Sequence, residues 1–225
     1  NQALEWAMKT ENKIQQAYSY NNIGGIYTLT NSYPEAIEAI EKAKKGFEEI
    51  GQIEGIGYAS VNLGNLYRHL KSFEISLNYL NEAERIKTQI NDSIGLTVVK
   101  QLKAEIFKEK GNSSKANELF LELKSAYLHN HYLKGQAYVY NELGGIEKDI
   151  GNNTKAIQLF LEAEKLNQDL QNKPALAYNA INLGSAYLNL NLFQNAINHA
   201  KEGYQLGMSL GDNRILLNAN LVLSE

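Results

Sequence analysis

The chain of 225 residues contains no cysteine and only 2 prolines. Without cysteine there are no disulfides, zinc ribbons, iron–sulfur clusters or thiol nucleophiles. The compartment stays open, since a cysteine-free chain suits reducing and oxidising spaces alike. Scarce proline permits long uninterrupted helices, because proline inside a helix removes a backbone hydrogen bond. Neither sign of charge dominates: 22 Lys and Arg stand against 25 Asp and Glu, for a net charge of −3. That balance gives no electrostatic ground for a nucleic-acid partner or an anionic membrane surface. No apolar run approaches the roughly 20 residues of a membrane span, so no membrane insertion is expected. The chain opens with neither Met nor a signal-peptide pattern, and Asn1 reads as a cut point within a longer protein.

What the chain does have is a repeat. Asn22-Ile23-Gly24-Gly25-Ile26-Tyr27 recurs as Asn62-Leu63-Gly64-Asn65-Leu66-Tyr67, as Leu143-Gly144-Gly145-Ile146 and as Asn182-Leu183-Gly184-Ser185-Ala186-Tyr187. The spacing of 40 predicts a further copy near 104, and Ala104-Glu105-Ile106-Phe107 supplies it. A second series of small residues runs in step at Ala36, Ser76, Ala116, Ala156 and Ala196. A third stands at Ala43, Ala83, Leu123, Ala163 and Gly203. Small residues at fixed points on two segments are what closely crossing helices require. Between the first two series lie Asn31, Lys71, Gly111, Gly151 and Asn191. Gly and Asn tolerate the left-handed conformation that ends a helix, so four of these five read as stops. Ser32, Ser72, Asn112 and Asn152 follow as N-caps, and Ser32 with Glu35 has the pattern of a capping box. Ile40, Leu80, Phe120 and Phe160 lie four residues after the second series, on the same helical face.

Each unit thus reads as a helix, a tight turn and a second helix folded back on the first. One such hairpin cannot bury its apolar faces alone, so neighbours must stack. The order of small residue, Tyr, turn and alternating Ala resembles the tetratricopeptide repeat, whose usual period is about 34. The longer period resembles the variant of kinesin light chains, Leu-Gly-Asn-type adaptors, bacterial peptide-sensing regulators and bacterial signalling proteins. The fold class this implies is all-α, a right-handed superhelical solenoid of antiparallel helix hairpins over residues 1–225. Five repeats are cut at 17–56, 57–96, 97–136, 137–176 and 177–212. Residues 1–16 read as the second helix of a truncated repeat and 213–225 as a first helix without its partner. The extra residues of the long period are placed between one hairpin and the next, where Gly51, Asn91, His131, Gln171 and Gly211 punctuate the chain.

In such a solenoid the first helices line the concave groove. Six and two residues before the small reference lie Tyr18 and Asn22, Tyr58 and Asn62, Val98 and Leu102, Tyr138 and Glu142, and Tyr178 and Asn182. An Asn amide both donates and accepts, so it can hold a peptide backbone regardless of sequence. Tyr adds a rigid contact area with a polar tip. The alternatives are that Tyr packs against a second helix and that Asn bridges adjacent repeats. Arg68, Lys108 and Lys148 follow on the same helices as candidate partners for acidic ligand groups. The family's clamp for a C-terminal carboxylate needs Lys where this chain has Tyr or Val, so that mode is not expected. The middle repeat departs most, with Val98, Leu102 and Lys103 in place of Tyr, Asn and Leu; a snorkelling Lys103 and a rotated helix both fit. Glu147 stands where an aromatic residue is expected.

Chemistry is harder to find. His129 and His131 are two apart, whereas ligands on a helix favour spacings of three or four. Gly55 and Gly57 follow no strand, so they read as a close approach of helices rather than a phosphate loop. No catalytic residue, metal or cofactor is expected, and the chain is read as a non-enzyme that binds a protein or peptide. The resemblance also implies an alternative, the sensory module of a bacterial histidine kinase, diguanylate cyclase or transcriptional regulator. It points to the bacterial cytoplasm, with the periplasm as the alternative. Self-association through the truncated ends is a further expectation, since open solenoid ends expose apolar faces.

Overall fold

The computed structural model describes residues 12–224. Of the segment 1–16 expected as a lone second helix, residues 1–11 lie outside the described residues, and Lys13–Gln16 open the first described helix. The described chain holds 11 helices and no strand, in two compact units that divide between Lys110 and Gly111. Unit 1 contains α1 (Lys13–Leu29), α2 (Tyr33–Glu49), α3 (Ile53–His69), α4 (Phe73–Gln89) and α5 (Ser93–Glu109). Unit 2 contains α6 (Ser113–His129), α7 (Leu133–Asp149), α8 (Asn153–Asp169), α9 (Lys173–Asn189), α10 (Phe193–Leu210) and α11 (Asn213–Ser224). Among the described residues no helix is long and apolar enough to cross a membrane.

Helices begin every 20 residues, so both kinds of connection have the same length up to α10, whose extra residue shortens the last one by one. First helices start four residues ahead of the repeat cuts at 17, 57, 97, 137 and 177, from α3 on just after the turn residues. Every connection carries one residue of positive φ: Asn31, Gly51, Lys71, Asn91, Gly111, His131, Gly151, Gln171, Asn191 and Gly211. Lys71, at φ 58°, adopts the turn as its asparagine and glycine counterparts do. In most turns the next amide then reaches back five residues, as in Ser32 N–H to Tyr27 O (2.9 Å) and Asp92 N–H to Lys87 O (2.8 Å). This Schellman pattern satisfies a carbonyl that the helix end leaves open.

The capping box at Ser32 does not form. The Ser32 hydroxyl lies instead against Thr30 Oγ1 (3.5 Å). Asn152 gives its amide to Glu147 (2.9 Å) and caps nothing, while Asn112 accepts from Lys115 N–H (3.1 Å). The other side-chain caps open first helices, at Asn12, Asp92, Asn172 and Asp212, where the longer Asx side chain reaches the third amide.

Packing within hairpins follows the small-residue series. A Cβ at Gly64 would stand 2.7 Å from Leu80, and one at Gly144 would stand 2.6 Å from Phe160, so a larger residue there would force these side chains to shift. Ile40, Leu80, Phe120 and Phe160 are all fully buried. Gly55 meets Phe47 and Gly57 meets Ile86, the close helix approach expected of that pair. Within each unit consecutive first helices touch one another directly, α1 on α3 and α3 on α5 in one, α7 on α9 and α9 on α11 in the other. That contact brings the Tyr and Asn series of adjacent repeats together.

Candidate functional site

In unit 1 the asparagine series is partly spent on the fold. Asn62 Nδ2 donates to Asn21 Oδ1 (2.9 Å), one residue before Asn22, and Asn21 is buried. Asn22 is exposed. These three residues line a shallow cleft of about 430 Å³ with Asn65 and Thr28. One repeat on, the same register pairs Val61 with Leu102, whose side chains join a common apolar cluster. The two positions therefore change together, amide against amide or hydrocarbon against hydrocarbon.

The phenol of Tyr18 packs edge-on against Phe47 (4.8 Å between centroids). Tyr58 covers the ammonium of Lys87, which lies 3.5 Å from the ring centroid and is buried. Lys87 also pairs with Asp92 (2.8 Å), and its hydrogen bond, with that from Gly95 N–H, holds the Asp92 carboxyl below the usual carboxylate range. Burial, then the bond to Glu54, pushes the Tyr58 phenol up. Arg68 reaches the next first helix, where its guanidinium meets Glu109 (2.6 Å) and Glu105 (3.3 Å). Lys71 joins Glu109 as well (2.7 Å). Burial opposes ionisation of Glu109, but hydrogen bonds from Lys71 and Arg68 prevail and lower its pKa. Burial and then the Arg68 charge lower that of His69. Lys108 is half-buried, and Lys103 snorkels to Glu84 (2.7 Å).

Unit 2 places five asparagines in one connected network. Asn172 donates to Asn167 (3.5 Å), Asn167 to Asn179 (2.7 Å), and both Asn179 (3.2 Å) and Asn182 (3.0 Å) to Asn141 Oδ1. The link from Asn182 to Asn141 repeats the register of Asn62 to Asn21. The network forms the floor of a cleft of about 390 Å³ flanked by Tyr138, Tyr178, Glu142 and Lys134. Tyr138 leans edge-on toward Phe120 (6.2 Å). A second cleft, of about 310 Å³, shares Tyr178 and Asn182 and adds Lys148, Ser185, Asn218 and Leu221. Lys148 lies 3.4 Å from the Ser185 hydroxyl, in the register where Arg68 meets Glu105 in unit 1. The buried Glu147 is paired with Lys155 (2.5 Å) and Asn152, whose hydrogen bonds outweigh its burial and lower its pKa.

Asn21, Asn141, Asn167 and Asn179 were not singled out from the sequence. Asn21 and Asn141 stand one residue before the series read there, a register shared by only two repeats. Asn167 lies on a second helix, so only contact between elements could find it. The structure brings Tyr138, Glu142, Tyr178, Asn182 and Lys148 to the unit 2 clefts, and Asn22 and Asn62 to the unit 1 cleft.

The sequence model of the tetratricopeptide repeat matches residues 17–45 and 137–170. No curated protein matches the chain in sequence. Among solved structures, BtubC (BKLC) from P. vanneervenii is similar over 94% of this chain and 89% of its own, at 17% identity and a TM-score of 0.79. Aspartyl phosphate phosphatase F from Bacillus subtilis is similar over 97% of this chain and 58% of its own, at 17% identity and 0.79. The Rap conjugation gene regulator of plasmid pLS20, in complex with the Phr* peptide, is similar over 96% and 60%, at 16% identity and 0.75. These likenesses show the fold: an all-helical array of stacked antiparallel hairpins.

Proposed function

Because this chain carries tetratricopeptide repeats, we propose that it is an interaction module whose unit 2 clefts bind an extended peptide or protein segment. One observation carries the reading. The network uses the carbonyl oxygen of Asn141 and the NH2 group of Asn182, leaving the NH2 of Asn141 and the oxygen of Asn182 to meet a backbone C=O and N–H. Tyr138 and Tyr178 flank these groups and supply contact area at little entropic cost. An acidic group on the ligand meets Lys148, which a serine rather than a carboxylate faces here. A peptide complex among proteins of like fold supports the reading. The same protein is a gene regulator, which favours a second reading in which peptide binding serves regulation. The residues at the clefts are amides, phenols and single charges, a set suited to binding.

The test starts from random linear peptides displayed on phage and selected on the purified chain. Selected peptides bind the parent protein in an anisotropy titration and lose at least about tenfold in affinity to Tyr178→Ala with Asn182→Ala. Ile75→Ala, at an exposed residue of α4, leaves affinity unchanged. Equal binding by the double variant, or no selected peptide, overturns the reading.

A further inference from the structure

We propose that Glu164, His199 and Glu202 of unit 2 form a binding site for a divalent first-row transition cation. Each offers a ligand atom, and these atoms all lie within 4.8 Å of one another. Glu164 projects from α8, while His199 and Glu202 stand three residues apart on α10, a spacing that puts two ligands on one helical face. The imidazole is already oriented, stacked on Tyr187 at 5.3 Å and 11°. Its Nδ1 is buried and has no hydrogen-bond partner among the described residues, and Glu202 Oε2, at 3.8 Å, is too far to serve.

The second line of evidence is the same location three repeats earlier. There Lys44, Tyr79 and Glu82 occupy the three positions, and the Lys44 ammonium pairs with Glu82 at 3.1 Å. Tyr79 stacks on Tyr67 (5.6 Å) as His199 stacks on Tyr187. Unit 2 keeps the ring stack and the second glutamate but replaces the lysine with a glutamate and the phenol with an imidazole. The resident cation of the site is thereby removed, and three ligand groups face the space it filled. Two carboxylates neutralise a divalent ion, and the imidazole favours zinc, copper, nickel or iron over magnesium and calcium. Bonds of about 2 Å in a tetrahedral zinc site place ligand atoms roughly 3.3 Å apart. Rotation of Glu202, whose side chain is 52% exposed, draws the set together. Three protein ligands leave one position for water.

Isothermal titration of the purified, chelator-treated full chain with zinc chloride tests the site. One zinc per chain is expected, with affinity falling at least about tenfold in His199→Tyr and binding lost in Glu164→Lys. Both variants install residues that unit 1 carries in the same register, and their helical circular dichroism should match the parent. Absence of zinc binding by the parent chain overturns the proposal. So does binding that survives both variants or disappears on replacing His129 and His131, which would place the ion elsewhere.

Discussion

Three repeats apart, one location holds Lys44 against Glu82 in unit 1 and Glu164 against Glu202 in unit 2. The two residues respond in opposite electrostatic senses. Burial disfavours the charge on Lys44, but its hydrogen bonds to Glu48 and Glu82 outweigh it and raise its pKa. Burial and then the Glu202 charge raise the pKa of Glu164, so there it is the charged form that loses. The rims of the clefts differ in the same way. Arg68 is held by two carboxylates, and Lys148 by a single hydroxyl. The repeat backbone fixes where a side chain stands, and local chemistry decides whether that place is internally satisfied or left for a ligand. Unit 1 sets a carboxylate against the cation at both places; unit 2 does so at neither.

Four measurements break or sharpen this contrast. The packing beneath it should not distinguish the units: Phe160→Ala in unit 2 should cost about 3–5 kcal/mol and Leu80→Ala in unit 1 about 2–5 kcal/mol by denaturant unfolding. A small effect in either would show that the glycine-lined hairpins are not equivalent. Asp92→Ala should destabilise by about 2–3 kcal/mol, since it strands the buried Lys87, with partial exposure of Asp92 softening the loss. Because the Asp92 pKa is depressed in the fold, its contribution is fully present above the unfolded value of about 3.9 and is lost as pH falls through the folded one. Asp92→Asn should therefore flatten acid unfolding.

Asn141→Ala should cost about 1–2 kcal/mol, because it leaves two amide donors without their acceptor, whereas Asn21→Ala, which releases only Asn62, should cost about 1 kcal/mol. Only the first should weaken a selected peptide; equal weakening by both would move the binding face into unit 1 as well. The smallest effect is expected for Glu164→Lys, which should stabilise by about 0.5–1 kcal/mol near neutral pH by restoring the unit 1 pair. The penalty for charged Glu164 is absent at acidic pH and grows as pH rises from the unfolded value toward the raised folded one. The gain should therefore shrink on acidification, and a pH-independent gain would show that charge is not its source.

Much of the architecture was legible because it depends on backbone rules. The glycines at 24, 64, 144 and 184 and the stops from Asn31 to Asn191 mark places where only certain residues fit. The hairpins, their turns and Ile40, Leu80 and Phe160 as packing partners followed from these. The site was less legible because it depends on which residue of a neighbouring repeat arrives opposite. Asn62 and Asn182 were found as a series, but Asn21 and Asn141, their acceptors, lie one position off it. Arg68 looks available until Glu105 and Glu109 are placed beside it. Ser32 looks like a cap until its hydroxyl turns toward Thr30. His199 and Glu202 have a ligand spacing in the sequence, but nothing along the chain joins them to Glu164.

The equal spacing of helix starts has a consequence for modularity. Since, up to α10, both turns have one length and one backbone form, the connections alone do not define the frame of the array; α1 with α2 and α2 with α3 are joined in the same way. The frame is written in side chains, in glycine on one helix and Ile, Leu or Phe on the next. Excising 40 residues would delete one word and leave the remainder readable. Excising 20 would keep every turn intact yet exchange the inner and outer helices downstream, handing the asparagine series to the wrong layer.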